Sequence, residues 1–183
     1  MKTLHFRKAI ETDSSSIASI HNLNVRGQSI SKHRGFLLAH TTEQQVVKNL
    51  ESGVQYFVAT SDRDEVLGFM AVSIPKVDNN FLNQVLWKDT SYRTKITRDN
   101  NLYIQTVAVQ PTCIGQGIGQ FIYKSLYEEF STSFFTTFVV SKPIENLRSL
   151  LFHEKQGFLQ VGTVSHEQFL DMTNYESIFL LRE

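Results

Sequence analysis

Apolar positions recur with two different periods along the chain, and the change from one period to the other marks out its elements. Thr3 to Ile10 (TLHFRKAI) alternates apolar with polar residues, the pattern of an antiparallel strand with one buried face. Glu11 to Ser16 is polar, with Asp13 placed as an N-cap, and the helix that follows buries Ile17, Ile20 and Leu23. Val25 to His40 loses its periodicity and reads as a loop or broken helix. Thr41 and Thr42 each stand three residues before a glutamine (Gln44, Gln45), the spacing of a capping box. That helix runs to about Ser52 and ends at Gly53. Gln55 to Thr60 and Val66 to Ile74 form a hairpin about the polar turn Ser61 to Glu65, and Pro75 stops it. Lys76 to Asn101 reads as a long polar and aromatic connection, in which Trp87 and Tyr92 either line a substrate mouth or anchor the loop by packing.

Leu102 to Val109 is a buried strand, followed by a turn at Pro111, a loop with Gly115, Gly117 and Gly119, and an amphipathic helix. Ile118, Phe121, Ile122 and Leu126 share one face of that helix. Phe134 to Val140 is a further strand, Ser141 to Asn146 a turn, and a short helix continues to about Gln156, ended by Gly157. Phe158 to Val164 and Ser177 to Leu181 close the chain as strands, joined by a loop with Asp171, Thr173 and Asn174. The order is an α+β layout around one mixed, mostly antiparallel sheet flanked by helices, a single domain over residues 1–183.

Composition narrows the function classes. Lys plus Arg and Asp plus Glu are both 18, a formal net charge of zero, which argues against a nucleic-acid or anionic-membrane partner. Cys113 is the single cysteine, so the expected compartment is reducing, and a first segment without a long apolar run suggests no signal peptide. A cytoplasmic location is the expectation. The histidines (His5, His21, His33, His40, His153, His166) show no metal-ligand spacing, and no metal is expected.

The glycine loop is the first candidate for chemistry. A helix entered from such a loop leaves its first N–H groups unpaired, and its dipole adds partial positive charge there. Backbone donors can then close on a phosphate or pyrophosphate. The bland alternative is a tight turn. A dinucleotide motif fails because Gln120 follows Gly119, and a P-loop fails because the chain has no Gly-Lys pair.

The phrase VAVQPTCIGQGIGQFIY resembles the acyl-CoA-binding motif of the GNAT N-acetyltransferase superfamily: a strand, V-x-P, then [QR]-x-x-G-x-[GA] opening a helix. NLRSLLFHEKQGF resembles that superfamily's second motif, an Asn-started helix ending in Gly-Phe. The resemblance spans nearly the whole chain and implies an acetyl-CoA-dependent N-acetyltransferase. Val107, Ala108 and Val109 would offer backbone groups to the pantetheine arm and an oxyanion donor. Ile114, Gly115, Gln116, Gly117, Ile118, Gly119 and Gln120 would hold the pyrophosphate through N–H groups. Ile114 departs from the motif's usual Gln or Arg and adds neither charge nor donor, which leaves the work to the glycine backbone and the helix dipole.

In the second motif, Asn146 is read as an N-cap and, by the resemblance, as a contact to the CoA arm. Ser149 lets the helix lie close to the cofactor, and Phe152 is core or packs on pantetheine. Lys155 either reaches a phosphate or is an exposed helix-terminal lysine. His153 stands where many relatives have a Tyr and some small-molecule acetyltransferases a His. The resemblance implies that it protonates the departing thiolate or takes the amine's proton; the alternative is a histidine favoured by the helix C-terminus. The central strand shows Tyr103, Gln105 and Thr106 but no carboxylate base. His21, Tyr103 and Gln105 are the candidate acceptor-binding residues, with the alternative that His21 is merely exposed. Specificity would sit in His21 to His40 and Lys76 to Asn101. Cys113 has no His or Asn placed to make it a nucleophile.

The reading that follows is acetyl transfer to a small-molecule amine by direct attack in a ternary complex. A protein N-acetyltransferase, a catalytically silent acyl-CoA-binding module and a plain nucleotide binder are the alternatives. Edge strands near the C-terminus leave room for a homodimer.

Overall fold

The protein is described by a computed structural model covering residues 3–27 and 34–183. His33 and its neighbours in the 28–33 stretch lie outside the described residues. Eight strands form one mixed sheet: β1 (His5–Lys8), β2 (Gln55–Thr60), β3 (Val66–Ser73), β4 (Leu86–Trp87), β5 (Asn101–Val109), β6 (Phe134–Lys142), β7 (Leu159–Phe169) and β8 (Met172–Arg182). Hydrogen-bonded neighbours follow the order β1-β2-β3-β5-β6-β8-β7-β4. The helices are α1 (Ser14–Leu23), α2 (Glu43–Glu51), α3 (Asn79–Gln84), α4 (Ser91–Ile96), α5 (Ile118–Glu129) and α6 (Leu147–Lys155). The β1–β2, β2–β3, β4–β7, β6–β8 and β7–β8 pairs are antiparallel, and β5 and β6 run parallel through Asn101, Leu102 and Tyr103. The α+β sheet expected from the sequence is the one observed.

The chain divides into two compact units, Met1–Ser73 with Ile104–Ser131, and Ile74–Tyr103 with Thr132–Glu183. In the first unit, Ile17, Ile20, Val46, Tyr56, Val58, Phe69 and Ala108 make one apolar cluster. Leu23, expected inside, is exposed. Thr42 caps α2 by accepting a hydrogen bond from the Gln45 N–H (3.1 Å), and Gln45 turns its own amide to Asn49. Helix α5 buries Ile118, Ile122, Tyr123 and Leu126, while Phe121 is half-buried. It lies so close to β3 that a Cβ at Gly68 would sit 3.1 Å from Ile122 and 3.2 Å from Ile118, besides 3.0 Å from the Ala108 carbonyl of β5.

Asp13 does not cap α1 through its side chain. Its carboxylate instead accepts from the Ile10 N–H at 2.8 Å and from the Arg7 guanidinium at 2.7 and 3.1 Å. Burial pushes the Asp13 carboxyl up, but the Arg7 and Ile10 donors outweigh it and leave it below the usual carboxylate range. A carboxyl depressed in the folded state stabilises the fold above its unfolded pKa, about 3.9, and that stability is lost as pH falls through the folded value. Arg7→Met removes the guanidinium and leaves the charge enclosed. The expected cost at neutral pH is about 2–3 kcal/mol, below the 3–5 of a fully enclosed pair because the Arg7 side chain is 30% exposed. Denaturant melts should show the gap to wild type closing as pH drops below about 4.

In the second unit, Leu82, Val85, Ile96, Phe134, Val161, Val164, Phe179 and Leu181 form the core. Residues Lys76 to Asn101, expected as a long polar and aromatic connection, hold α3, β4 and α4. Asp78 starts α3 by accepting from the Phe81 N–H at 2.8 Å. Helices of six residues are too short to repeat an apolar stripe, which is why no period announced them. Trp87 donates its indole N–H to the Leu82 carbonyl (3.0 Å) and packs on Phe179, and Tyr92 joins the same cluster, so both anchor the segment. The closing strands are longer than expected: β7 and β8 continue through the polar stretch to a turn at Leu170 and Asp171. The β7 part of that extension is exposed on both faces, and on β8 Met172 and Tyr175 are buried three positions apart, so no alternation marks it. Strand β8 is interior and β7 pairs with β4 at Gly162 and Thr163, which covers part of the edge expected to be open near the C-terminus.

Candidate active site

The first unit carries the glycine loop. Pro111–Cys113 forms one 3-10 turn, closed by the Cys113 N–H to the Gln110 carbonyl at 2.8 Å. The Gln116 N–H donates to the Cys113 carbonyl at 3.2 Å. Gly115 and Gly117 have φ of 84° and 81°. A Cβ at Gly115 would meet nothing within 4 Å, and at Gly117 the nearest atom would be 3.9 Å away. Glycine is therefore required here for the left-handed backbone and not for room. Gly117 is the N-cap of α5 and supplies no side chain; the first intrahelical bond is from the Phe121 N–H to the Gly117 carbonyl at 2.9 Å. The N–H groups of Ile118, Gly119 and Gln120 are consequently left without intrahelical partners at the positive end of a twelve-residue helix. Residues 110–120 contain no acidic side chain to repel an anion. Ile114 is 37% exposed.

On β5, the Gln110 N–H donates to the Leu67 carbonyl (2.8 Å) and the Ala108 carbonyl faces Gly68. By alternation, Val107 and Val109 turn their backbone groups to the opposite edge. The Val109 carbonyl there accepts from the Asn24 side chain at 3.1 Å, and Asn24 also donates to Ile20 at 2.8 Å. Sequence reasoning passed over Asn24, whose one signal was an amide at the end of an apolar helix face. Arg34 also reaches this region, with Nη1 3.5 Å from the Pro111 carbonyl. Gln105 is exposed and donates to the Ser73 hydroxyl at 2.8 Å. His21 is half-buried rather than exposed. Its Nε2–H donates to the Ala39 carbonyl (2.9 Å), its ring lies over Phe69, and burial above all holds its pKa below the ordinary value. Cys113 is half-buried beside the Thr112 hydroxyl at 3.8 Å.

The second unit carries the α6 residues and Tyr103. Asn146 is buried at the start of α6 but does not cap it through its side chain. Its φ and ψ of −95° and 55° lie outside the extended region in which a cap side chain aims at the first helical N–H groups. Its backbone is bound instead, the N–H to Val140 and the carbonyl by Leu150, both at 3.0 Å. His153 is 3% exposed, between the ring edges of Phe152 (5.9 Å) and Phe158 (5.3 Å). Its Nδ1–H donates to the Ser149 carbonyl at 2.8 Å, with the Ser149 hydroxyl 3.4 Å from the same nitrogen. Burial, opposed in part by that hydrogen bond, lowers its pKa. The imidazole is thus neutral at neutral pH, with Nδ1 protonated and Nε2 the basic atom. Ser149 and Phe152 are half-buried and Lys155 is exposed. Tyr103 is half-buried against Phe138, its phenol pushed up to about 12 by burial and then by Tyr175.

Among the described residues no group of three or more His, Cys, Asp or Glu side chains could hold a metal ion. No helix among them is long and apolar enough to cross a membrane.

The sequence matches the model of the acetyltransferase (GNAT) family over residues 18–158, a span that takes in both motif regions. No curated protein sequence matches the chain. Among solved structures, a GNAT superfamily phosphinothricin acetyltransferase from Sinorhizobium meliloti, in complex with acetyl-CoA, is similar with a TM-score of 0.64 at 17% identity, covering 98% of this chain and 88% of that one. A ribosomal-protein-alanine N-acetyltransferase from Brucella melitensis gives 0.64 at 16% identity, covering 97% and 98%. An N-acetyltransferase from Staphylococcus aureus Mu50 gives 0.66 at 13%, covering 99% and 98%. At these identities the likeness concerns the fold alone.

Proposed function

We propose, from the premise that this chain belongs to the GNAT acetyltransferase family, that it transfers an acetyl group from acetyl-CoA to the amine of a small molecule, by direct attack in a ternary complex and as one acetyltransferase domain. The observation that carries this reading is the loop whose left-handed Gly115 and Gly117 deliver three unpaired N–H groups at the start of α5. Acetyl-CoA would supply the activated acetyl group as a thioester. Ile114 to Gln120 hold its pyrophosphate through backbone donors. The edge of β5 at Val107 and Val109 offers backbone groups to the pantetheine arm and an N–H for the charge that develops on the acetyl oxygen.

The transfer forms a nitrogen–carbon bond, breaks the carbon–sulfur bond, and moves one proton from the amine to the leaving thiol. His153 is suited to the first half of that proton movement: neutral, with Nδ1 committed to Ser149, it accepts at Nε2. The depth of His153 and the lack of a carboxylate at Tyr103, Gln105 and Thr106 favour one second reading, a silent acyl-CoA-binding module.

Calorimetric titration with acetyl-CoA, CoA and ADP tests the reading. The expected result is binding of the first two with ADP at least about tenfold weaker, since ADP lacks the pantetheine contacts. Absence of binding by all three would remove the acetyltransferase reading. Binding without thiol release on any amine would favour the silent module.

A further inference from the structure

The glycine loop has no cation of its own, and the fold brings one to it from a distant part of the chain. Residues 110–120 hold no charged side chain, and Ile114 stands where the resemblance has a Gln or Arg. The α5 dipole supplies about half a positive charge, well short of what a pyrophosphate carries. Arg34 stands at the turn that opens this loop. Its Nη1 is 3.5 Å from the Pro111 carbonyl, and the same carbonyl accepts from the Ile114 N–H at 3.4 Å. The guanidinium and the backbone of Ile114 therefore meet at one oxygen, just before the left-handed Gly115 and Gly117. Arg34 and the loop belong to the same compact unit.

The segment that carries Arg34 is fastened on both sides. The Leu37 N–H donates to the Asn24 carbonyl at 2.8 Å, and the Leu37 carbonyl accepts from the Arg26 N–H at 2.9 Å. His21 donates to the Ala39 carbonyl at 2.9 Å, and Asn22 exchanges two hydrogen bonds with the Thr41 backbone, both 2.9 Å. Asn24 in turn donates to the Val109 carbonyl of β5 at 3.1 Å. The residues from Leu37 to Thr41 are thus held by the end of α1, and through Asn24 by β5, so little backbone ordering remains to oppose a ligand that Arg34 binds.

The hold of the protein on the guanidinium is weak. A separation of 3.5 Å lies beyond the usual range of an N–H···O bond, and a guanidinium has five N–H donors of which this contact engages one. Among the described residues no carboxylate lies within ion-pair distance of Arg34. Phosphate oxygens offer shorter, charge-assisted and bidentate bonds. When the guanidinium turns to them, the Pro111 carbonyl keeps the Ile114 N–H and no acceptor is orphaned. The loop beside it is open: Ile114 to Gly117 are exposed, and a Cβ at Gly115 would meet nothing within 4 Å.

We infer that Arg34 is a cofactor-binding residue, and that its guanidinium binds the pyrophosphate of acyl-CoA in the role that Ile114 does not fill. The inference rests on the acetyltransferase reading of the glycine loop and adds the side chain that matches its anion.

The full chain is titrated calorimetrically with CoA and with 3′-dephospho-CoA, which lacks the 3′-phosphate and keeps the pyrophosphate. Wild type is compared with Arg34→Met, Arg34→Lys and the double variant Arg34→Met/Ile114→Arg. Arg34→Met should weaken both ligands by at least about tenfold, the scale of a hydrogen bond to a charged group, with a melting temperature within a few degrees of wild type. Its binding should also depend less on added salt. Arg34→Lys, a point charge without the planar fork, should keep part of the affinity. The double variant, which returns a guanidinium from position 114, should bind both ligands within about threefold of wild type. An arginine that merely pins the turn would not be replaced from that position. The inference is overturned if Arg34→Met binds CoA within about twofold of wild type, if the loss is confined to CoA and spares 3′-dephospho-CoA, or if the double variant binds no better than Arg34→Met. A wild type that binds neither ligand removes the acetyltransferase reading, and this inference with it.

Discussion

Replacing Gly117 with valine is expected to weaken acetyl-CoA binding by at least about tenfold, with a fall in melting temperature of only a few degrees. Gly117 has φ of 81° and ψ of 0°, and a β-branched residue at positive φ is a genuine outlier. The left-handed backbone costs an ordinary L-residue about 1–2 kcal/mol, and one tenfold step in affinity is about 1.4. The loop escapes the strain by leaving the left-handed region, and the N–H groups of Ile118, Gly119 and Gln120 then no longer converge. The alternative cause, a side chain filling the space meant for phosphate, is separable. Asparagine tolerates positive φ, so Gly117→Asn should recover part of the binding if backbone conformation decides, and none if bulk decides. Gly53, with φ of 92° at the end of α2, is the control. Valine there should lower stability to a similar degree and leave acetyl-CoA affinity in place. Equal binding by wild type and Gly117→Val in calorimetry would show that the loop is only a turn.

The parts of this fold that could be read in the sequence are those where one face is buried over two or more turns or a run of alternation. The face of Ile118, Ile122 and Leu126 is of that kind, because burial imposes a period; Val66 to Ser73 is legible instead as an apolar run buried on both faces, and Thr42 by its spacing to Gln45. Three departures have separate causes, none of which leaves an apolar period. Asp13 was placed as a cap by its neighbours, yet Arg7, across the turn from β1, claims its carboxylate. Asn146 has a cap's position without a cap's dihedrals. The hairpin from Ser165 to Glu176 is held by backbone pairing, with β7 exposed on both faces and Met172 and Tyr175 buried three apart on β8, so its polar sequence shows no strand period. For the candidate site, the glycines were legible because positive φ excludes most other residues. The surroundings of His153 were not: its burial comes from Phe158 as well as from α6, and its tautomer from a backbone carbonyl that sequence does not display.

His153→Gln should lower kcat by about 100-fold or more while the KM for acetyl-CoA changes less than about threefold. Glutamine is chosen over alanine because His153 is 3% exposed, and its amide can continue to donate to the Ser149 carbonyl without opening a cavity. What it cannot do is accept and release a proton. The sign of the pH effect follows from burial. The pKa of His153 lies below the usual 6.5, and the working form is the neutral base. Wild-type rate should therefore hold through neutrality and fall only as pH drops below 6.5 through that lowered value. The glutamine variant, assayed with an amine that the wild type acetylates, should be slow at every pH and lack this acid limb. A core histidine predicts a different pair of results: a lowered melting temperature and a wild-type rate with its acid limb intact. Substitution of a buried packing residue and removal of a base thus differ in the pH profile even where both reduce the yield of folded protein, and the profile decides between them.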